Sequence, residues 1–287
     1  MRPSNRGFTL IEIVVVILVL AILIAMAAAL TRGVTAAQKR SQTGTRIAAA
    51  DAALIQFVMQ NRRLPCPADG RIATGMPNAG VEARDDVTDV CTLPGAGAQQ
   101  HGVVPWVSLG IGEGDATDGW DRRLTYRVHT TLVADNIMDM SQCDPAGDAD
   151  PTGAGACAGS CSAATVASCT KPSKYLGEGA VPDKGFNVRT IVGANVMLPP
   201  ATGAAYVLIS PGESGGGGYL GSGTLATSTT TDGTEEAINY ADKPVQAYYV
   251  DDALSDIAGP NHFDDIVSRP SVLTVITKAA LGPRAHN

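Results

Sequence analysis

Residues 7–30 read GFTLIEIVVVILVLAILIAMAAAL. The 18 residues from Ile13 to Leu30 contain no charge, no proline and no glycine. At about 1.5 Å per residue, a helix from Phe8 to Leu30 spans about the 30 Å of a bilayer's hydrocarbon core. The stretch therefore predicts a transmembrane helix.

Glu12 is the ionisable residue inside this apolar stretch. A charged side chain in a membrane helix costs a few kcal/mol, roughly 2.5–3.5 on insertion scales, so it usually marks a function and a partner. Glu12 lies four residues after Phe8, and a cut before Phe8 would create an amino group at the start of the helix. Pairing with such an amine would offset much of the cost of removing the carboxylate from water.

The six residues GFTLIE at 7–12 resemble the prepilin cleavage and methylation motif of type IV pilins and type II secretion pseudopilins. The resemblance implies that a membrane prepilin peptidase cuts between Gly7 and Phe8 and then methylates the new amino group of Phe8. It also implies that Glu12 forms the assembly salt bridge with the amine of an adjacent subunit. The implied partners are that peptidase and N-methyltransferase, other pilin or pseudopilin subunits, and the inner-membrane assembly platform.

Two other interpretations of the N-terminal stretch stay open. The small residues 25–27 (Ala-Met-Ala) fit the cleavage site of a secretory signal peptide. A membrane anchor that is never processed also fits the apolar run. Glu12 argues against both, because it would be an unexplained cost in either.

Composition and charge limit the function of the remaining chain. The net charge is −7, and removal of residues 1–7 would leave 19 basic against 28 acidic residues, a net charge of −9. This balance disfavours nonspecific binding to nucleic acid, and no nucleic-acid partner is indicated. With 32 glycines, 17 prolines and 5% aromatic residues, the chain is expected to form a loop-rich body with a modest core.

All six cysteines follow the apolar run, and an even number in an exported chain predicts disulfides in an oxidising compartment. The disulfide candidates are Cys66, Cys91, Cys143, Cys157, Cys161 and Cys169. Fifteen pairings are possible, and the sequence does not choose among them. A zinc site at Cys157 and Cys161 is the alternative, although no histidine lies close to them.

The absence of proline between Arg6 and Leu64 predicts one long helix from about Phe8 to about Arg62. One apolar face recurs at steps of three and four, formed by Ile47, Ala50, Leu54 and Val58. Gly33 and Gly44 could instead divide the helix into two.

The residues after this helix predict short strands among loops, with strand candidates at 124–131, 187–192, 205–210 and 246–250, and a strand or short helix at 272–281. This order indicates an α+β fold. It fits the pilin-like arrangement, in which a long N-terminal helix, membrane-embedded in its first half, packs on a small antiparallel sheet in a disulfide-containing domain. The predicted divisions are 1–7 (leader), 8–30 (transmembrane and assembly helix), 31–62 (helix continuation) and 63–287 (extracytoplasmic domain).

Further short segments are similar to pilin-like proteins, among them residues 118–121 (Asp-Gly-Trp-Asp), which are similar to the Asp-Pro-Trp-Gly turn of the major pseudopilin. Asp115, Asp118 and Asp121 are calcium candidates, because clustered carboxylates and loop carbonyls suit Ca²⁺. Aspartate is also an ordinary turn residue. No other cofactor is expected. Trp106 and Trp120 are expected in the core or in turns.

Residues 212–216 (Gly-Glu-Ser-Gly-Gly) fit G-x-S-x-G, with Ser214 in the position of a nucleophile. A nucleophile elbow needs a following helix, and the next residues are glycines, which favours a glycine-rich surface loop. The sequence thus predicts a non-enzymatic minor pilin or pseudopilin, anchored once in a bacterial inner membrane with its body in the periplasm before it joins a filament. The alternative is a membrane-tethered exported enzyme or binding domain that uses Ser214.

Overall fold

A computed structural model of the chain describes residues 10–88, 90–93, 101–141, 185–198, 203–227, 233–244, 246–255 and 257–282, without the side chains of 27–33. The first element is the helix α1, Leu10–Asn61. It is continuous through Gly33 and Gly44, so the alternative of two helices is wrong. Arg62, at φ 56°, has a non-helical backbone and ends α1. The prolines that follow prevent the helix from continuing.

The second half of α1 is amphipathic, and its buried face is the one that the spacing predicts. The buried side chains are Ile47, Ala50, Leu54 and Val58, each at most 5% exposed. Leu54 and its neighbours pack against the central sheet and against the C-terminal helix α2, Val272–Lys278. Ser271 caps α2 by accepting a hydrogen bond from the Thr274 amide.

The described residues form twelve short strands. They are β1 (Ala68–Asp69), β2 (Arg84–Asp85), β3 (Val90–Cys91), β4 (Gly102–Val103), β5 (Arg122–Arg123), β6 (Thr125–Val128), β7 (Asn187–Arg189), β8 (Asn195–Met197), β9 (Tyr206–Ser210), β10 (Tyr219–Leu220), β11 (Tyr248–Val250) and β12 (Ile266–Ser268). The central sheet has the order β1-β4-β6-β9-β12, and every pair in it is antiparallel. A long helix packed on an antiparallel sheet confirms the predicted α+β fold.

Strand β9 separates the two hydrophobic clusters of the body. Because side chains alternate along a strand, Tyr206 and Leu208 join the larger cluster beneath α1. Val207 and Ile209 join a smaller cluster on the opposite face. All five residues of β9 are buried, which explains its nearly continuous apolar sequence.

The four predicted strands form, and each is shorter than predicted. Residues 272–278 form a helix, which is one of the two structures predicted for 272–281. One feature departs from the predicted antiparallel arrangement: β11 pairs with β7 in parallel, at the edge of a three-stranded sheet of order β11-β7-β8. Two small antiparallel pairs, β5 with β10 and β2 with β3, complete the body.

A disulfide joins Cys66 to Cys91 across 25 residues of sequence. Both cysteines are buried in the larger cluster. The disulfide prediction is confirmed for this pair, while Cys143, Cys157, Cys161 and Cys169, with the alternative zinc pair among them, lie outside the described residues.

Candidate functional site

The first part of α1, from Leu10 to Met26, is an apolar helix that no other described part of the chain covers. We call it the apolar segment. Its large hydrophobic side chains are between 47% and 82% exposed, with Val19 and Leu10 at the two limits. Soluble monomers rarely expose contiguous apolar surface on this scale, and such surface marks contact with a protein or a membrane. A helix that is apolar on all sides is normally buried.

Glu12 lies in the first described turn of α1 and is exposed. Gly7 and Phe8, the predicted cleavage and methylation residues, lie outside the described residues. Among the residues that are described, no helix combines the length and the apolar character needed to span a bilayer.

The second half of α1 is fastened to the body by the turn at residues 117–121. The Thr43 hydroxyl accepts a hydrogen bond from the Gly119 amide at 2.9 Å. The Arg46 guanidinium donates to the carbonyl oxygens of Thr117 and Asp118 at 3.0 and 2.8 Å. A Cβ atom on Gly119 would lie 2.5 Å from the Lys39 carbonyl oxygen, so only glycine permits this close approach.

Asp118 organises the same turn from inside. Its carboxylate accepts hydrogen bonds from the amides of Trp120 and Arg122, both at 2.8 Å, and from the Ser210 hydroxyl at 2.7 Å. Burial raises the pKa of the Asp118 carboxyl, although these three hydrogen bonds favour its charged form. Trp120 is buried, as is Trp106, which confirms the expectation for both tryptophans.

The structure does not bring Asp115 and Asp121 to Asp118 as a set of ligands. Asp115 and Asp121 are exposed, whereas Asp118 is buried and bonded within its turn. Within the described part of the chain, the carboxylate, imidazole and thiolate groups that could together hold a metal lie elsewhere. Calcium in this loop stays a prediction without support from the positions of these carboxylates.

Ser214 lies in the glycine-rich loop after β9, but its contacts are not those of an activated nucleophile. Its hydroxyl lies 3.2 Å from the Pro211 carbonyl oxygen and 3.0 Å from Asp264 Oδ1. Its amide donates to Asp264 Oδ2 at 2.7 Å. A serine nucleophile needs a base such as histidine within hydrogen-bond reach, and neither partner of this hydroxyl is an imidazole.

A cluster that sequence reasoning missed lies next to this loop and consists of Glu236, His262 and Asp264, which we call the Glu–His–Asp cluster. Within it, His262 Nδ1 lies 2.8 Å from Glu236 Oε2. Burial, and a hydrogen bond with Asp264, raise the pKa of Glu236 to about 7. The sequence signal was the spacing of His262 and Asp264, which places both on one face of an extended segment.

Residues 2–28 match the prokaryotic N-terminal methylation motif, which is the signal motif of type IV pilins and pseudopilins. The match contains Gly7, Phe8, Glu12 and the whole apolar segment. The chain matches no curated protein, and it matches no solved structure.

Proposed function

We propose that the chain, whose N-terminal motif supports a type IV pilin-like protein, is a minor pilin or pseudopilin that enters a filament through α1. The observation that carries this proposal is the coincidence of the methylation motif with an exposed apolar helix. The motif ends at residue 28, and the exposed side chains run from Leu10 to Met26. One surface would thus serve both processing and assembly.

In the proposed pathway, the subunit first resides in a bacterial inner membrane with its N-terminus in the cytoplasm and its body in the periplasm. The apolar run of residues 13–30 supports this step. The prepilin peptidase and N-methyltransferase removes residues 1–7 and methylates Phe8. The apolar segment then exchanges lipid for the helices of neighbouring subunits on the assembly platform.

Glu12 would supply the electrostatic step of assembly. Once the apolar segment lies among other helices, its carboxylate is removed from water and needs a cation. The amine of Phe8 in an adjacent subunit would provide it and would fix the axial position of one subunit against the next. The body after residue 62 has more than 200 residues, which favours a minor subunit over the main building block.

The test of this step is Glu12→Gln, which keeps the size of the side chain and removes its charge. We expect normal cleavage of the leader but incorporation into sheared filaments reduced more than about 100-fold, since breaking a buried ion pair costs roughly 3–5 kcal/mol. Glu213→Gln is the control, because Glu213 is an exposed acid on the body. Incorporation of the Glu12 variant at the wild-type level, or an equal defect in the control, would contradict the proposed role.

A further inference from the structure

The Glu–His–Asp cluster draws its side chains from two segments that are distant in sequence. Glu236 begins a 3-10 helix, Glu236–Asn239. His262 and Asp264 flank Phe263, whose amide and carbonyl both bond to Ser255 at 3.0 and 2.8 Å. This pairing extends the backbone, so His262 and Asp264 point to the same side while Phe263 enters the core.

Every member of the cluster is more than nine-tenths buried: Glu236 is 1% exposed, Asp264 is 4% exposed and His262 is 8% exposed. Two carboxylates and one imidazole therefore share a site away from water. Among the ion pairs of the described chain, Glu236 forms one, with His262, and Asp264 forms none. Neither acid has an arginine or lysine partner there.

The charge of the cluster points to a cation. With both acids ionised and His262 protonated, the net charge is −1, and a buried uncompensated charge costs several kcal/mol. A divalent cation beside a neutral imidazole makes the total zero.

The ligand atoms are close enough for a metal. One oxygen of each carboxylate and one imidazole nitrogen all lie within 4.8 Å of one another. Zinc bonds of about 2.0–2.2 Å put two ligands of a tetrahedral ion about 3.3–3.6 Å apart, so side-chain movements of at most about 1.5 Å would bring these atoms to bonding positions.

Hydrogen bonds from the backbone orient both acids. The amides of Gly233 and Asp264 donate to the Glu236 carboxylate at 2.8 and 3.2 Å, and the Ser214 amide donates to Asp264. Outer contacts of this kind fix metal-binding carboxylates in position.

We propose that Glu236, His262 and Asp264 bind a divalent transition-metal ion of the zinc class. An imidazole beside two carboxylates suits zinc better than calcium or magnesium, which prefer oxygen ligands alone. Three protein ligands leave one position of a tetrahedral ion for water. The ion would tie residues 233–239 to residues 262–264 and is independent of the assembly role of α1.

The test uses the full chain in detergent micelles, stripped with a chelator and kept under non-reducing conditions. After incubation with zinc and gel filtration, elemental analysis is expected to find one zinc per chain, with a raised melting temperature. Cobalt(II) loaded in place of zinc is expected to give visible absorption without a sulfur-to-metal charge-transfer band, which excludes cysteine ligands. No retained metal, a thiolate band, or retention of calcium in preference to zinc would overturn the proposal.

Matched variants locate the ion. His262→Gln and Glu236→Gln are each expected to weaken zinc binding more than about 10-fold, since even outer-shell changes cost 10–100-fold. His101→Gln is the control, because this half-buried histidine bonds to Tyr219 outside the cluster. If both cluster variants retained zinc as well as the wild-type chain does, the ion would lie elsewhere and the assignment would be refuted. The cobalt spectrum of the wild-type chain identifies the kind of ligand even if a variant fails to fold.

Discussion

The structure divides α1 into a half that stabilises the body and a half that does not, and one chemical change made in each half tests this division. Leu54 is fully buried beneath the sheet, whereas Leu18 in the apolar segment is 58% exposed. Leu54→Ala removes apolar contacts and leaves a cavity, which costs 2–5 kcal/mol in well-packed cores. Because Leu54 packs among buried side chains of the larger cluster, we expect a loss of about 3 kcal/mol in the free energy of unfolding.

Leu18→Ala is expected to change the same free energy by less than about 0.5 kcal/mol, as surface substitutions usually do. In detergent, the Leu18 side chain contacts the micelle whether the body is folded or unfolded. The substitution therefore removes the same contact from both states and leaves the free energy of unfolding nearly unchanged. The helix propensities of leucine and alanine are also close. The pair therefore compares one substitution in two environments of the same helix.

Urea unfolding of the full chain in a mild detergent measures both effects. The two tryptophans, Trp106 and Trp120, are buried in the body at 5% and 9% exposure, so their fluorescence reports unfolding of the body alone. A loss below about 1 kcal/mol for Leu54→Ala, or equal losses for both variants, would refute the division of α1.

Two further predictions concern the body. Replacement of both Cys66 and Cys91 by alanine is expected to lower the free energy of unfolding by about 3.5 kcal/mol, because the disulfide closes a 25-residue loop and so lowers the entropy of the unfolded chain. Urea unfolding without reductant measures this loss, and an unchanged midpoint would contradict the prediction. Burial raises the pKa of Asp51, although Ser268 and Tyr206 donate hydrogen bonds to it. A carboxyl whose pKa is raised on folding destabilises the protein as pH rises above its unfolded value of about 4. Asp51→Asn should therefore gain stability relative to wild type between about pH 4 and pH 7, and a constant difference across that range would contradict this.

The long helix was predictable because its signals are local. The chain has no proline between Arg6 and Leu64, and the spacing of Ile47, Ala50, Leu54 and Val58 matches one helical face. The strand at residues 206–210 was predictable for the same reason, as a short apolar run between turn residues.

The parallel pairing of β11 with β7 was not predictable, because it joins residues 187–189 to 248–250, about 60 positions apart. The Glu–His–Asp cluster was not predicted from the sequence for a similar reason. Glu236 lies 26 residues before His262, and no metal-binding motif with that spacing signals their meeting. Calcium binding at Asp115, Asp118 and Asp121 stays a prediction, and the role of Asp118 in a turn that packs against α1 was not visible in the sequence.

The central claim is that the chain is processed and assembled through its N-terminus, and mass spectrometry of the N-terminal peptide from the native protein tests it most directly. We expect a peptide that begins at Phe8 and carries one additional methyl group on its amine. A peptide that begins at Met1, or one that begins near Ala28 as after signal-peptide cleavage, would contradict the claim.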